Sequence, residues 1–121
     1  MTTATSPRAL DHPARDEITL EGVLHALSDA VRLSIVRELA REGEALSCSH
    51  FDLPVTKSTT THHFRVLREA GVIHQGYRGT AKLNGLREDD LNALFPGLLD
   101  AVLAAVDAQE GRRSATATAS G

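Results

Sequence analysis

The chain has 121 residues, 41% of them hydrophobic and 24% charged, with a formal net charge of −3, the balance of one small globular domain. Its aromatic residues, Phe51, Phe64, Tyr77 and Phe95, are too few for modules that stack bases on several rings, and no apolar run approaches the roughly 18 residues of a membrane span. The single cysteine, Cys48, excludes an intrachain disulfide; with no apolar leader in residues 1–15, the expected location is the cytoplasm.

Charge is unevenly spread. Residues 1–54 carry five Lys/Arg and nine Asp/Glu. Residues 55–87 carry six bases (Lys57, Arg65, Arg68, Arg78, Lys82, Arg87) against Glu69 alone. Residues 88–110 carry six acids and no Lys or Arg, and Arg112 and Arg113 follow. A basic block between two acidic ones is an electrostatic footprint for a polyanion.

Residues 1–17 read as a flexible N-terminal arm, 18–109 as the folded domain, and 110–121 as a disordered tail of small polar residues. The first predicted helix is 18–27, with Leu20, Val23, Leu24 and Leu27 on one stripe. Asp29 is a good N-cap for a second helix, 30–42, whose stripe is Val31, Ile35, Val36 and Leu39 and whose stop is Gly43. Ser47 caps a single helical turn over 48–51, which Pro54 bounds.

The following helix is capped by Thr56 and ended by Gly71. Thr60, His63, Phe64, Leu67 and Ala70 form its inner stripe. Lys57, Ser58, Thr61, His62, Arg65 and Arg68 form the outer one. Consecutive Ser and Thr residues are poor helix formers, so packing must hold this helix and its first turns are free for another use. After Gly71 the period shortens to that of a β-hairpin, with its tip at 76–79 and its return strand at 80–86. The helical segment 88–108 is divided by Pro96-Gly97. Its second part is apolar on two sides through Leu98, Leu99, Val102, Leu103 and Val106, as expected of a helix shared with a partner.

The chain is therefore mainly α with a two-stranded β-hairpin wing, ordered helix, helix, helix, helix, strand, strand, helix: a winged helix-turn-helix. Leu27-Ser-Asp-Ala-Val-Arg-Leu33 and the run from Thr56 through His62-His63-Phe64 to Leu67-Arg-Glu-Ala-Gly71-Val-Ile73 carry a resemblance. Over residues 20–106 the chain resembles the ArsR/SmtB-type winged-helix transcriptional regulators of bacteria. The resemblance implies a homodimer on double-stranded operator DNA, joined through terminal helices that here carry Leu20, Val23, Leu24, Leu98, Leu99, Val102, Leu103 and Val106. It implies base or backbone contacts from Thr56, Lys57, Ser58, Thr59, Thr61, His62, Arg65 and Arg68, because the N-terminal part of a recognition helix meets base edges and phosphates. It also implies wing contacts from Tyr77, Arg78 and Gly79. His63, on the inner stripe, is expected to pack and orient the helix.

The family's usual metal-sensing motifs are not intact in this sequence. One thiolate cannot build a multi-cysteine site within a protomer, and the last helix has no histidine. No cofactor is expected. The residues leave open a non-standard divalent transition-metal site built from Cys48, His50 or Asp52, with a tail residue such as His12, or a redox response of Cys48. A regulatory partner protein or small effector is the other source of control. A protein-interaction-only winged helix is a further alternative, which the basic block disfavours. No Gly-rich phosphate loop, nucleophile elbow or HExxH is present, and His62 and His63 project about 100° apart, so no enzyme is expected.

Overall fold

The computed structural model describes residues 10–120. Residues up to Arg87 form one compact unit and those from Glu88 a second.

In the first unit, a 3-10 turn Arg15–Glu17 precedes α1 (Leu20–Ala26) and α2 (Ala30–Glu42). Thr19 caps α1 by accepting from the Gly22 backbone N–H, so the helix starts two residues after Ile18, which is buried. Asp29 caps α2 by accepting from the Val31 and Arg32 N–H groups, and Gly43 ends it at φ 69°. The buried stripe of α2 is Arg32, Ile35, Val36 and Leu39. Arg32 thus takes the inner position expected of Val31, which is half-buried.

A two-residue strand, β1 (Leu46–Ser47), leads into a 3-10 turn, Cys48–His50, in place of the expected α turn. Then come α3 (Lys57–Glu69) and the hairpin of β2 (Ile73–Arg78) and β3 (Ala81–Leu86). The sheet is antiparallel in the order β1-β3-β2, so β1 adds a third strand to the expected two. Leu46 lies opposite Asn84, and Tyr77 opposite Lys82. The hairpin tip is Gly79-Thr80 rather than 76–79: β2 continues through Gly76, and Gly79 alone at the tip takes a positive φ, 63°. A two-residue loop with glycine first is the connection the strand twist favours.

The core of this unit gathers Val23, Ala26, Ile35, Val36, Leu39, Phe64, Leu67, Val72 and Ile73, all buried. This is the winged helix-turn-helix expected from the sequence.

Within residues 10–17, expected to belong to a flexible arm, His12 bonds to the wing strand β2 and Pro13 to Arg87 just beyond β3. The His12 Nε2 accepts the Gln75 backbone N–H at 2.8 Å, and the Pro13 carbonyl accepts from Arg87 Nη1 at 2.8 Å. The cause is topological: β2 is an edge strand, and its outward N–H needs an acceptor. Residues 1–9 lie outside the described residues.

The second unit consists of α4 (Glu88–Leu94) and α5 (Leu98–Ser120), separated at Pro96-Gly97 as expected, with Gly97 at φ 82°. The helix does not stop near 109. It continues to Ser120, through residues expected to be a disordered tail. Gly111 costs about 1 kcal/mol against alanine in a helix, but Arg113 pairs with Glu110 one turn back at 3.0 Å, which supports the helix across it. No single helix among the described residues is long and apolar enough to cross a membrane.

Candidate nucleic-acid interface

The geometry of α3 begins at its cap. The Thr56 hydroxyl accepts from the Thr59 N–H at 3.2 Å and donates to the Thr59 hydroxyl at 2.9 Å. Thr60 and Thr61 donate back to the carbonyls of Thr56 and Lys57, at 3.0 and 3.1 Å. The Thr56 cap offsets part of the poor helix propensity of the Thr run, while the back-bonds of Thr60 and Thr61 keep their hydroxyls on the backbone. They also set its chemistry: the Thr61 hydroxyl proton is engaged, so that side chain presents lone pairs and a methyl group outward.

His63, Phe64 and Leu67 are buried, whereas Lys57, Ser58, Thr61, His62 and Arg65 are exposed. The face expected to meet DNA is thus the solvent face. Arg65 Nη2 lies 3.3 Å from His62 Nδ1, which joins these two side chains on the surface.

Arg68 departs from this pattern. Its Nη1 donates to Gln75 Oε1 at 2.7 Å, and its buried Nε has no hydrogen-bond partner among the described residues. It is a brace between α3 and the wing rather than a projecting cation. Arg78 and Gly79 are exposed at the wing tip. Tyr77 is also exposed, and Lys82 Nζ lies 5.9 Å from the centre of its ring. Strand alternation puts Tyr77 and Arg78 on opposite faces of the hairpin.

Two polar clusters that the sequence reading missed hold this surface. In the first, Arg32 Nε donates to the Ala26 carbonyl at 2.6 Å, and Nη1 donates to His63 Nδ1 at 3.1 Å. Because a guanidinium only donates, His63 Nδ1 is an acceptor there and its ring proton sits on Nε2. Asp29 Oδ2 lies 3.8 Å from the same nitrogen. Burial works to raise the Asp29 carboxyl, but the Arg32 N–H, the Arg32 guanidinium and the Val31 N–H together hold it below the usual range. The expected orienting role of His63 thus has a physical form: a fixed bond from the back of α3 to α2. The signal in the sequence was spacing, since Arg32 is in phase with Ile35, Val36 and Leu39.

In the second cluster, the Gln75 amide donates to Asn84 Oδ1 at 2.6 Å, and Asn84 Nδ2 donates to the Leu46 carbonyl at 3.1 Å and faces Cys48 Sγ at 3.2 Å. Gln75 and Asn84 are 1% and 0% exposed, so this chain of amides is interior. With Arg68 it runs from α3 across both wing strands to the 3-10 turn. Here the signal was Gln75 falling in phase with Ile73 in the strand alternation.

The residues weighed for a metal ion are not gathered. Cys48 faces Asn84. His50 Nε2 lies 2.8 Å from Glu38, whose carboxyl that bond holds below its ordinary range, and Asp52 is exposed. Among the described residues no three His, Cys, Asp or Glu side chains are placed to share an ion.

Of the eight apolar residues expected at a dimer interface, Val23, Leu99 and Val106 are buried in the chain itself. Leu98, Val102 and Leu103 are half-buried, and Leu20 and Leu24 are 43% and 46% exposed on α1.

Comparison with known proteins gives this surface a context. A helix-turn-helix domain family matches residues 27–76. An uncharacterized HTH-type transcriptional regulator of Bacillus subtilis (strain 168), YceK, is 38% identical over 80 residues, covering 64% of this chain and 80% of that protein. The arsenical resistance operon repressor of the same strain is 31% identical over 71 residues, covering 58% of this chain and 68% of the repressor. The chain belongs to the ArsR family of helix-turn-helix transcriptional regulators. Among solved structures, an ArsR-like transcriptional regulator from Rhodococcus sp. RHA1 is similar with a TM-score of 0.54 and 27% identity, covering 80% of this chain and 87% of that one. As an ArsR-family regulator the protein binds DNA.

Proposed function

We propose that this ArsR-family protein acts as a homodimer on operator DNA, with α3 of each protomer in a major groove and the wing tip against the flanking backbone. The observation that carries this reading is the division of α3 into a buried face and an exposed face of Lys57, Ser58, Thr61, His62 and Arg65. Lys57 can donate to guanine N7 or O6. Thr61, with its proton engaged, can accept from an adenine or cytosine amino group or touch a thymine methyl. Thr56, Ser58 and Thr59 surround the positive end of the helix dipole and suit a phosphate. Arg65 reaches a base or phosphate, with His62 beside it. Arg78 serves the backbone from the wing, while Arg68 acts indirectly, by bracing α3 on Gln75. The separate engagements of Cys48 and His50 support an effector other than a three-ligand metal ion.

The test is equilibrium binding to an operator duplex and to unrelated duplexes over a salt series. Lys57→Ala or Thr61→Ala should change the preference between duplexes by about 1–3 kcal/mol. Arg78→Ala should weaken all duplexes similarly and, by removing one phosphate contact from each of two wings, lower the log–log salt slope by about 2. A binding constant that ignores salt would favour the protein-interaction reading, and an Arg78→Ala protein with full affinity for every duplex would remove the wing from the interface.

A further inference from the structure

We propose that the cleft between the 48–55 segment, the first turns of α3 and the wing is a binding site for a small amphipathic anion, an apolar body carrying one carboxylate. The cavity measures about 540 Å³ and lies within the first compact unit. That volume falls inside the roughly 300–1,000 Å³ range of small-molecule sites.

Its walls explain the ligand class. Phe51, Leu53, Val55 and Phe64 supply the apolar side, and Phe51 meets Phe64 edge-to-face with centroids 5.3 Å apart. This apolar side exists because the chain makes only a 3-10 turn at 48–50 and then runs irregularly to Thr56, leaving Phe51, Leu53 and Val55 half-buried. Lys57 and Lys82 line the polar side against the single carboxylate of Asp52. Lys57 is also the first residue of a 13-residue helix, so the positive end of that helix dipole adds to the same side. A cation would meet two ammonium groups there, and a neutral molecule would leave them unused. The buried Gln75 forms part of the lining, and its amide is already committed to Asn84, so it offers a fixed wall.

Position gives the site a consequence. Lys57 and Thr61 line the cavity and also belong to the face proposed to read DNA. A bound carboxylate would engage Lys57 and compete with the operator. This second half rests on the DNA-binding reading; occupation of the cavity does not.

The experiment uses 2-naphthoate as probe, with 2-naphthamide as its neutral analogue, and two readouts on the full chain. Amide chemical shifts are followed without DNA, and operator affinity is measured with and without the probe. Saturable shifts confined to residues 48–64 and 75–83, with naphthoate binding at least about tenfold more tightly than naphthamide, are the expected result. Lys82→Gln should weaken naphthoate at least about fivefold, because it removes one of the two cations. Leu53→Trp should fill the cleft and abolish the shifts while keeping operator binding; if that variant does not fold, Val55→Phe is read in its place. No saturation at about 1 mM, shifts elsewhere on the molecule, or equal binding of the amide would overturn the site. Occupation of the cleft without loss of operator affinity would overturn the competition alone. A chain that binds naphthoate in the cleft but binds no duplex would refute the DNA reading and leave the site standing.

Discussion

His63 ties the inner face of α3 to α2 through one nitrogen. Its Nδ1 accepts from a guanidinium that is itself buried and tied to the end of α1, so the inner face of α3 is bonded to both preceding helices. His63→Ala would leave Arg32 Nη1 without its acceptor in the interior, at a cost of about 1–3 kcal/mol plus lost packing. His63→Asn puts a carbonyl oxygen near the position of Nδ1 and should recover part of that loss. Urea unfolding checks both, as a shift in midpoint at constant slope. His12 makes a pH-dependent counterpart at the wing. It stacks on His74 with centroids 4.3 Å apart, and burial, then His74, Arg68 and Arg87, push its pKa below the ordinary 6.5 against a hydrogen bond with Leu10. A histidine lowered on folding contributes stability that is present above pH 6.5 and is lost as pH falls through the folded value. Protonation also takes the acceptor from the Gln75 N–H. The protection factor of that amide, corrected for the intrinsic pH dependence of exchange, should therefore fall as pH drops below 6.5, and His12→Ala should flatten the dependence; a Gln75 amide equally protected at pH 5 and pH 8 would reject the latch. Neither contact was legible in the sequence. Phase places Arg32 on the inner face of α2, but its partner lies 31 positions away and that of His12 63 positions away, which no local pattern reveals.

Elements were more legible than contacts because their ends are marked locally. Asp29 and Thr56 cap α2 and α3 where a short acceptor precedes an apolar period, and Gly43 stops α2 in the left-handed region that glycine favours. The hairpin tip was misplaced because Gly76 and Gly79 both read as turn residues, and only pairing in register decides between them. The terminal helix was cut short because its last residues carry no apolar period, whereas an exposed helix needs none once its earlier turns are held. At the junction of α3 and β2, Gly71 combines two demands. Its φ is 85°, and a Cβ there would lie 2.5 Å from Ile18 Cγ1 and 2.6 Å from Cδ1. Gly43 has a similar φ of 69° with nothing within 4 Å. Gly43→Ala should thus cost only the backbone strain, about 1–2 kcal/mol. Gly71→Ala adds a clash with a buried, β-branched side chain and should cost at least about 1 kcal/mol more. Equal melting shifts for the two variants would show that Ile18 yields freely, and that the junction between α3 and the wing is softer than its geometry implies.

At the scale of the whole molecule, charge and symmetry bear on the same proposal. The chain is acidic overall, yet residues 55–87 hold six of its 13 Lys and Arg residues. One recognition helix reads only a few base pairs; two, related by a twofold axis, read a palindrome with about one helical turn between half-sites. Dimerisation therefore converts a weak contact into an operator-specific one. Leu20 and Leu24, one turn apart on α1, are the large apolar side chains left most open in that helix, and Leu98, Val102 and Leu103 form a half-buried run on α5. Leu24→Glu puts a carboxylate where the proposed interface would desolvate it, without touching the buried Val23 beside it. Sedimentation should give a dimer for the native chain at micromolar concentration and a monomer for the variant. The variant should then lose most of its affinity for a full operator, keep its affinity for a single half-site, and unfold at the native urea midpoint. A native chain that sediments as a monomer, or a variant that stays dimeric, would move the interface away from α1. Equal losses on full and half sites would mean that the substitution had damaged the reading head rather than the pairing.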